Sequence, residues 1–185
     1  MTKTTLLKSA FGVLFAMALM ACGDKAKSAN DNSSAQNTAQ AVEQTIPTQS
    51  VGVDAPDFTL IDINGKPLTL SSLRGKYVVL DFWGSWCGWC IKGIPQMKEY
   101  YKKYAGKFEI LGIDCNDSEE AWRAAVDEHQ LPWLHVYCSD EKVLQDYDVQ
   151  GFPTKVIITP DGKIEQMIIG EDPQFYTLLD KLLGD

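Results

Sequence analysis

Beyond residue 50 the chain alternates between apolar runs with strand periodicity and runs with helix periodicity. Phe58 to Ile63, then Asn64-Gly65, then Pro67 to Leu70 predict a β-hairpin, because Asn-Gly accepts the positive φ angles of a tight turn. Tyr77 to Trp83 is apolar except for Asp81, the pattern of a strand buried on both faces. From Cys87 the period becomes helical, with Met97, Tyr100, Tyr101 and Tyr104 recurring at helix spacing and Pro95 expected to interrupt and kink the helix. Phe108 to Ile113 predicts the next strand. Ser118 then caps a helix with Glu119 and Glu120 in its first turn and a buried stripe of Trp122, Ala125, Val126 and His129. Leu134 to Tyr137 predicts a strand and Asp140 to Tyr147 a short helix. A second hairpin, Thr154 to Thr159 with Lys163 to Ile169, turns at Asp161-Gly162, and Pro173 to Leu183 closes the chain as an amphipathic helix. Strands alternating with helices and ending in a hairpin and helix imply an α/β sandwich with a central mixed sheet flanked by helices.

The first 50 residues follow a different pattern. Lys3 and Lys8 precede the apolar run Phe11 to Met20, which is shorter than the ~20 residues a membrane span needs but sufficient for an export signal. Leu19-Met20-Ala21-Cys22 resembles the lipobox of bacterial lipoproteins, so residues 1–21 are expected to be a signal peptide and Cys22 the lipidated residue. An ordinary signal peptide followed by a chance cysteine is the alternative. Gly23 to Ser50 is rich in Ala, Ser, Asn, Gln and Thr and lacks aromatic residues, so it cannot bury enough apolar surface to offset its ordering entropy. Residues 22–50 are therefore expected to be a lipidated, disordered tether with a reach of roughly 30 Å, and residues 51–185 the folded domain. The expected location is the cell envelope, outside the cytoplasm and anchored to the membrane by lipid, facing the periplasm if the cell has one.

Composition narrows the function. A chain of 185 residues with 45% hydrophobic and 23% charged residues is ordinary for a globular protein, and a net charge of −8 excludes phosphate neutralisation of a nucleic acid. No glycine-rich fingerprint for a flavin or nicotinamide is present, and no cofactor is expected. Five cysteines are too few for a disulfide scaffold, so each needs its own reading.

Cys87-Gly88-Trp89-Cys90 falls where a buried strand hands over to a helix. There the first cysteine meets unpaired amides and the positive end of the helix dipole, which stabilise the thiolate that attacks disulfides. Cys90, one turn on, is placed to resolve the mixed disulfide. Zinc would need further Cys or His ligands in paired spacing; His129 and His135 show none, and no metal is expected.

Leu80 to Trp83, Trp86 to Cys90, Pro95 and Gly151-Phe152-Pro153-Thr154, in that order, resemble the thioredoxin superfamily. The inserted helix and strand at Ser118 to Tyr137, the N-terminal hairpin and the lipobox make the chain similar to its exported TlpA/ResA branch. The resemblance spans Val51 to Asp185 and implies a thioredoxin-like fold and a thiol–disulfide oxidoreductase. It implies Cys87 as nucleophile, Cys90 as resolving thiol and Asp81 as the buried acid that takes the Cys90 proton; a sheet-end aspartate paired to a lysine is the alternative reading of Asp81. Pro153 matches the family's cis-proline, and Trp86, Gly88, Trp89, Phe152 and Pro153 are implied as the substrate-contacting surface, while Trp83 is read as core. Many ResA-like members carry a glutamate where this chain has Gly93, so a second acid near the dithiol is expected to be missing.

The family's insertion also implies that the strands ending near Cys115 and Cys138 are parallel neighbours. Adjacent strands lie about 4.8 Å apart, within disulfide reach, so Cys115 and Cys138 form either a second bridge or two unpaired, partly buried thiols. The resemblance implies exported protein thiols or disulfides as partners, a membrane thiol relay as the electron source, and a net reducing direction. A tethered binding or chaperone module is the non-enzymatic alternative. A peroxidase is a weaker one, because the Pro-x-x-x-Thr-x-x-Cys pattern is absent ahead of Cys87.

Overall fold

The computed structural model describes residues 51–184. The expected signal peptide, Cys22 and the tether lie outside the described residues. Strands β1 (Thr59–Asp62) and β2 (Pro67–Thr69) form the first hairpin, with Thr59 opposite Thr69. Only Gly65 of the Asn-Gly pair takes positive φ, at 75°. The rest of the turn is held by the Asp62 carboxylate, which accepts the N–H groups of Asn64 at 2.9 Å and Lys66 at 2.7 Å. Leu70, expected as the end of the strand, instead opens a 3-10 turn, Leu70–Leu73. Asp57 diverts the chain there by accepting both the N–H and the hydroxyl of Ser71, at 2.9 and 2.7 Å.

The remaining elements are β3 (Tyr77–Trp83), α1 (Gly88–Lys103), β4 (Phe108–Cys115), α2 (Glu119–Glu128), β5 (Leu134–Cys138), α3 (Glu141–Asp146), β6 (Thr154–Ile158), β7 (Ile164–Ile169) and α4 (Pro173–Leu183). They build one seven-stranded sheet in the order β2-β1-β5-β4-β3-β6-β7. β3, β4 and β5 run parallel, while β1 and β6 join them antiparallel, so the sheet is mixed as the element pattern implied. Helices α1, α2 and α4 cover one face through Met97, Trp122, Phe175 and Leu179; α3 and the 3-10 turn cover the other, over Phe82, Leu111 and Val136. Each such large side chain removed from water contributes about 1.5–3 kcal/mol.

Two local expectations needed correction. Pro95 does not interrupt α1, which runs unbroken to Lys103. Pro95 itself is exposed while Ile94 and Met97 bury on either side of it, so packing holds the helix where one backbone bond is lost. His129 is not in the buried stripe of α2 but is its half-exposed C-cap, and its carbonyl accepts Lys98 Nζ. Among the described residues no helix is long and apolar enough to cross a membrane.

Candidate active site

β3 ends at Trp83, and Gly84, Ser85 and Trp86 carry the chain to α1. Cys87 is the N-cap of that helix: its backbone is extended and its Sγ accepts the N–H of Cys90 at 3.1 Å. A capping side chain normally supplies oxygen; here the cap is sulfur, so a first-turn amide of α1, that of Cys90, points at the reactive atom. No acidic residue stands in the first turn to oppose a thiolate. Cys87 and Cys90 are joined as a disulfide, with 5% and 7% of their surfaces exposed.

Around this recessed pair the surface is apolar and open. Trp86 is 52% and Trp89 61% exposed, Gly88 is exposed between the sulfurs, and Lys92 Nζ lies 4.5 Å from the Trp89 ring centroid. Trp86 meets Phe152 edge to face at 5.3 Å, which brings the Phe152-Pro153 loop, with its cis peptide bond, to the dithiol. The Trp86 indole donates to the Cys115 carbonyl at 3.1 Å. That bond needs Gly84, where a Cβ would stand 2.4 Å from Trp86 Nε1 and 2.9 Å from the Cys115 oxygen. The same loop is fixed by Asp117, whose carboxylate accepts the N–H and hydroxyl of Ser85. Trp83, with 2% exposure, belongs to the core.

Beneath the dithiol, Asp81 shares the sheet face of Val79 and Trp83, the face that packs on Cys87, Cys90 and Ile94. Its side chain is 14% exposed, and its buried Oδ1 has no hydrogen-bond partner among the described residues. Burial pushes its pKa up; Lys155, 3.8 Å away, opposes this and Glu171 adds to it. Asp81 is thus a buried acid with a lysine beside it.

Sequence reasoning missed Lys155 and Glu171. Lys155 is only 2% exposed and lies opposite Asp81 in the antiparallel β3–β6 register. Its ammonium bonds Glu171 Oε2 at 2.8 Å. The expectation that Gly93 leaves the dithiol without a second acid is corrected by the structure: Glu171 supplies one. A Cβ at Gly93 would lie 2.3 Å from Glu171 Oε2, so the glycine leaves the space that a carboxylate from another element fills. Asp114 was also missed. It is fully buried at the end of β4, and burial followed by the neighbouring Asp117 carboxylate pushes its pKa up to about 8.

Cys115 and Cys138 are direct register partners across the parallel β4–β5 pair and are free thiols. They lie on the sheet face opposite the dithiol, Cys115 buried and Cys138 half-exposed. Cys115 Sγ donates to the Ile113 carbonyl at 3.3 Å and Cys138 Sγ to the Asp140 carbonyl at 3.1 Å. The neighbouring thiol, followed by burial, pushes the Cys115 pKa up, while that of Cys138 is lowered by its Cys115 neighbour.

Residues 51–167 match the AhpC/TSA family. The thiol-disulfide oxidoreductase ResA of Bacillus thuringiensis (strain Al Hakam) is 38% identical over 122 residues, covering 65% of this chain and 70% of the relative. This chain belongs to the TlpA/ResA-like branch of the thioredoxin superfamily. ResA of Bacillus subtilis (strain 168) is likewise 38% identical over 122 residues, covering 65% of this chain and 68% of that one. Among solved structures, the thioredoxin domain of a thiol-disulfide oxidoreductase from Bacteroides vulgatus superposes with a TM-score of 0.67 at 32% identity, over 72% of this chain and 97% of that one. As a ResA-like protein it is a thiol–disulfide oxidoreductase, and Cys87 and Cys90 have the spacing of the family's dithiol.

Proposed function

We propose that this ResA-like protein reduces disulfides of exported proteins while tethered to the membrane through Cys22, with Cys87 as nucleophile and Cys90 as resolving thiol. The observation that carries the assignment is the capping sulfur: Cys87 Sγ accepts the N–H of Cys90 at the head of α1, where a thiolate is stabilised. In the reduced protein the Cys87 thiolate attacks one sulfur of a substrate disulfide. That S–S bond breaks, a substrate thiolate leaves, and a mixed disulfide forms. Cys90 then gives its proton to Asp81 and attacks Cys87 Sγ, expelling the second substrate sulfur, which takes up a proton. The substrate gains two electrons and the protein ends as the Cys87–Cys90 disulfide. A membrane thiol relay restores the dithiol. Trp86, Gly88, Trp89 and the half-buried Phe152 form the surface on which the substrate strand lies, with Pro153 buried behind Phe152.

The decisive experiment is trapping in the native cell envelope. Cys90→Ser is expected to accumulate a mixed disulfide through Cys87 that mass spectrometry identifies, with a membrane-associated exported protein as partner. Cys87→Ser is expected to abolish exchange. Intact function of Cys87→Ser would instead make the domain a binding module. Failure of Cys22→Ala to release the protein from the membrane would remove the lipid anchor from the scheme.

A further inference from the structure

Three charged side chains are gathered on the dithiol side of the sheet, and the shortest contact is not the one strand register would favour. Lys155 is the direct register partner of Asp81, yet its ammonium stands 2.8 Å from Glu171 and 3.8 Å from Asp81. Glu171 follows β7 and is held by two further groups. Tyr176 of α4 donates its hydroxyl to Oε1 at 2.7 Å, and the backbone of α1 at Gly93 leaves a hollow for the carboxylate. The Lys155 ammonium also stands 5.5 Å from the Phe175 ring centroid, and only 2% of Lys155 is exposed. A buried ammonium must be paired, and here one carboxylate satisfies it. Asp81 is left as the second acid beside an already neutralised pair, with Oδ1 buried and unbonded among the described residues.

We propose that Glu171 is a positioning residue for the dithiol's proton chemistry: it draws Lys155 away from Asp81 and so keeps the Asp81 carboxylate free to take the proton of Cys90. This rests on the reading of Cys87 and Cys90 given above. The groups that bear on Asp81 are few. β6 offers Lys155, the loop after β7 offers Glu171, α4 offers Tyr176, and α1 offers Cys90 and, through its packing on Tyr176, Tyr100. β4 places Gly112, with no side chain, opposite Asp81, and Asp114 and Cys115 follow at its end. Removing the Glu171 charge leaves Lys155 one anionic partner among these, Asp81. An Asp81 bound to an ammonium is a weaker base, so Cys90 loses its acceptor. The burial that raises the Asp81 pKa acts in the same direction as Glu171.

The space at Gly93 supplies the control. A Cβ there would lie 2.6 Å from the Glu171 carboxyl carbon, so a glutamate side chain grown from position 93 can set its own carboxyl in the same seat. The test is the titration of the Asp81 carboxyl, followed by carbon-13 NMR in the reduced protein without substrate. Glu171→Gln is expected to lower the midpoint by about one pH unit or more. Gly93→Ala, which evicts the carboxylate while favouring the helix, is expected to do the same and serves if Glu171→Gln does not fold. Glu171→Ala combined with Gly93→Glu is expected to restore the midpoint. An unchanged midpoint in both single variants, or no recovery in the double variant, overturns the proposal. Mixed-disulfide trapping by Cys90→Ser reports separately on the nucleophile, so the two readings fail in different experiments.

Discussion

Asp117 holds Ser85 by two bonds, its Oδ2 accepting the backbone N–H at 2.6 Å and its Oδ1 the hydroxyl at 2.7 Å. The loop that delivers Cys87 to the head of α1 is thereby tied to the segment leaving β4. Tyr137 secures the same segment from β5 by donating its hydroxyl to the Asp117 carbonyl at 2.7 Å.

Asp117→Ala is expected to lower stability by about 2 kcal/mol, since hydrogen bonds to an ionised group contribute roughly 1.5–3 kcal/mol and Ser85 can recover part of the loss from water. The rate of disulfide exchange is expected to fall as well, because Trp86 and Cys87 lose a fixed support. Urea unfolding of the oxidised protein and a turbidity assay of insulin reduction check the two effects. Unchanged stability would mean that the loop is held by its own packing.

Asp114 makes stability depend on pH on the alkaline side. Its pKa rises from the ordinary 3.8 to about 8, through burial first and then the adjacent Asp117. Over that range the native protein holds a proton that the unfolded chain has released, so stability falls as pH rises and the loss is complete above about 8. His135 acts in the opposite sense on the acid side. Burial lowers its pKa to about 4, and stability is lost as pH falls from 6.5 through that value. Thermal unfolding measured between pH 6.5 and pH 8 therefore lies above the His135 window and within that of Asp114, and comparison with Asp114→Asn separates its share from those of Asp81 and Cys138. The melting temperature is expected to drop across this interval, and Asp114→Asn is expected to flatten the slope.

The two remaining cysteines differ in reactivity although they are neighbours. The Cys115 thiol, buried in the core with its S–H on the Ile113 carbonyl, is held in the neutral form, whereas the half-exposed Cys138 beside it has its pKa lowered. Iodoacetamide at neutral pH is expected to label Cys138 about tenfold faster than Cys115 or more, because the thiolate is the reacting species. Peptide mapping of the oxidised protein over a time course reads the ratio. Comparable rates would show a local opening of the β4–β5 end that exposes both thiols together.

The elements that carry their own local signals were legible in the sequence. α4 begins and ends where expected, at Pro173 and Leu183, because Asp172 caps it and a proline suits its first position. Cys87 was legible for the same reason, as a strand-to-helix junction written in contiguous residues. The charged groups beneath the dithiol were not. Lys155 reaches Asp81 only through the register of β3 on β6, and Glu171 reaches Gly93 only once α1 packs near the end of β7, so no spacing along the chain connects them. Gly93 was the one available signal, and a glycine cannot by itself indicate which distant side chain fills its space. The Asn64-Gly65 turn was located correctly, but its backbone was set by the Asp62 side chain rather than by both turn residues.

Gly84 controls where Trp86 stands. The indole reaches the Cys115 carbonyl only because position 84 has no side chain, and a methyl there would meet the ring nitrogen at 2.4 Å and the carbonyl oxygen at 2.9 Å. The carbonyl is backbone in a buried strand, so the ring must be the part that yields. Gly84→Ala is accordingly expected to break the Trp86–Cys115 bond and swing the indole away from Phe152, removing one wall of the exposed surface around the dithiol. With Cys87 and Cys90 left in place, the loss is expected in substrate recognition: KM for a protein disulfide rises, while reduction of a small aromatic disulfide changes little. Stability is expected to fall by about 1–3 kcal/mol through overpacking. Steady-state kinetics on the two substrates, with the intrinsic fluorescence of the variant as a marker of the ring's new environment, distinguish this outcome. Equal loss on both substrates would place the damage at Cys87 itself and leave Trp86 without a separate role in recognition.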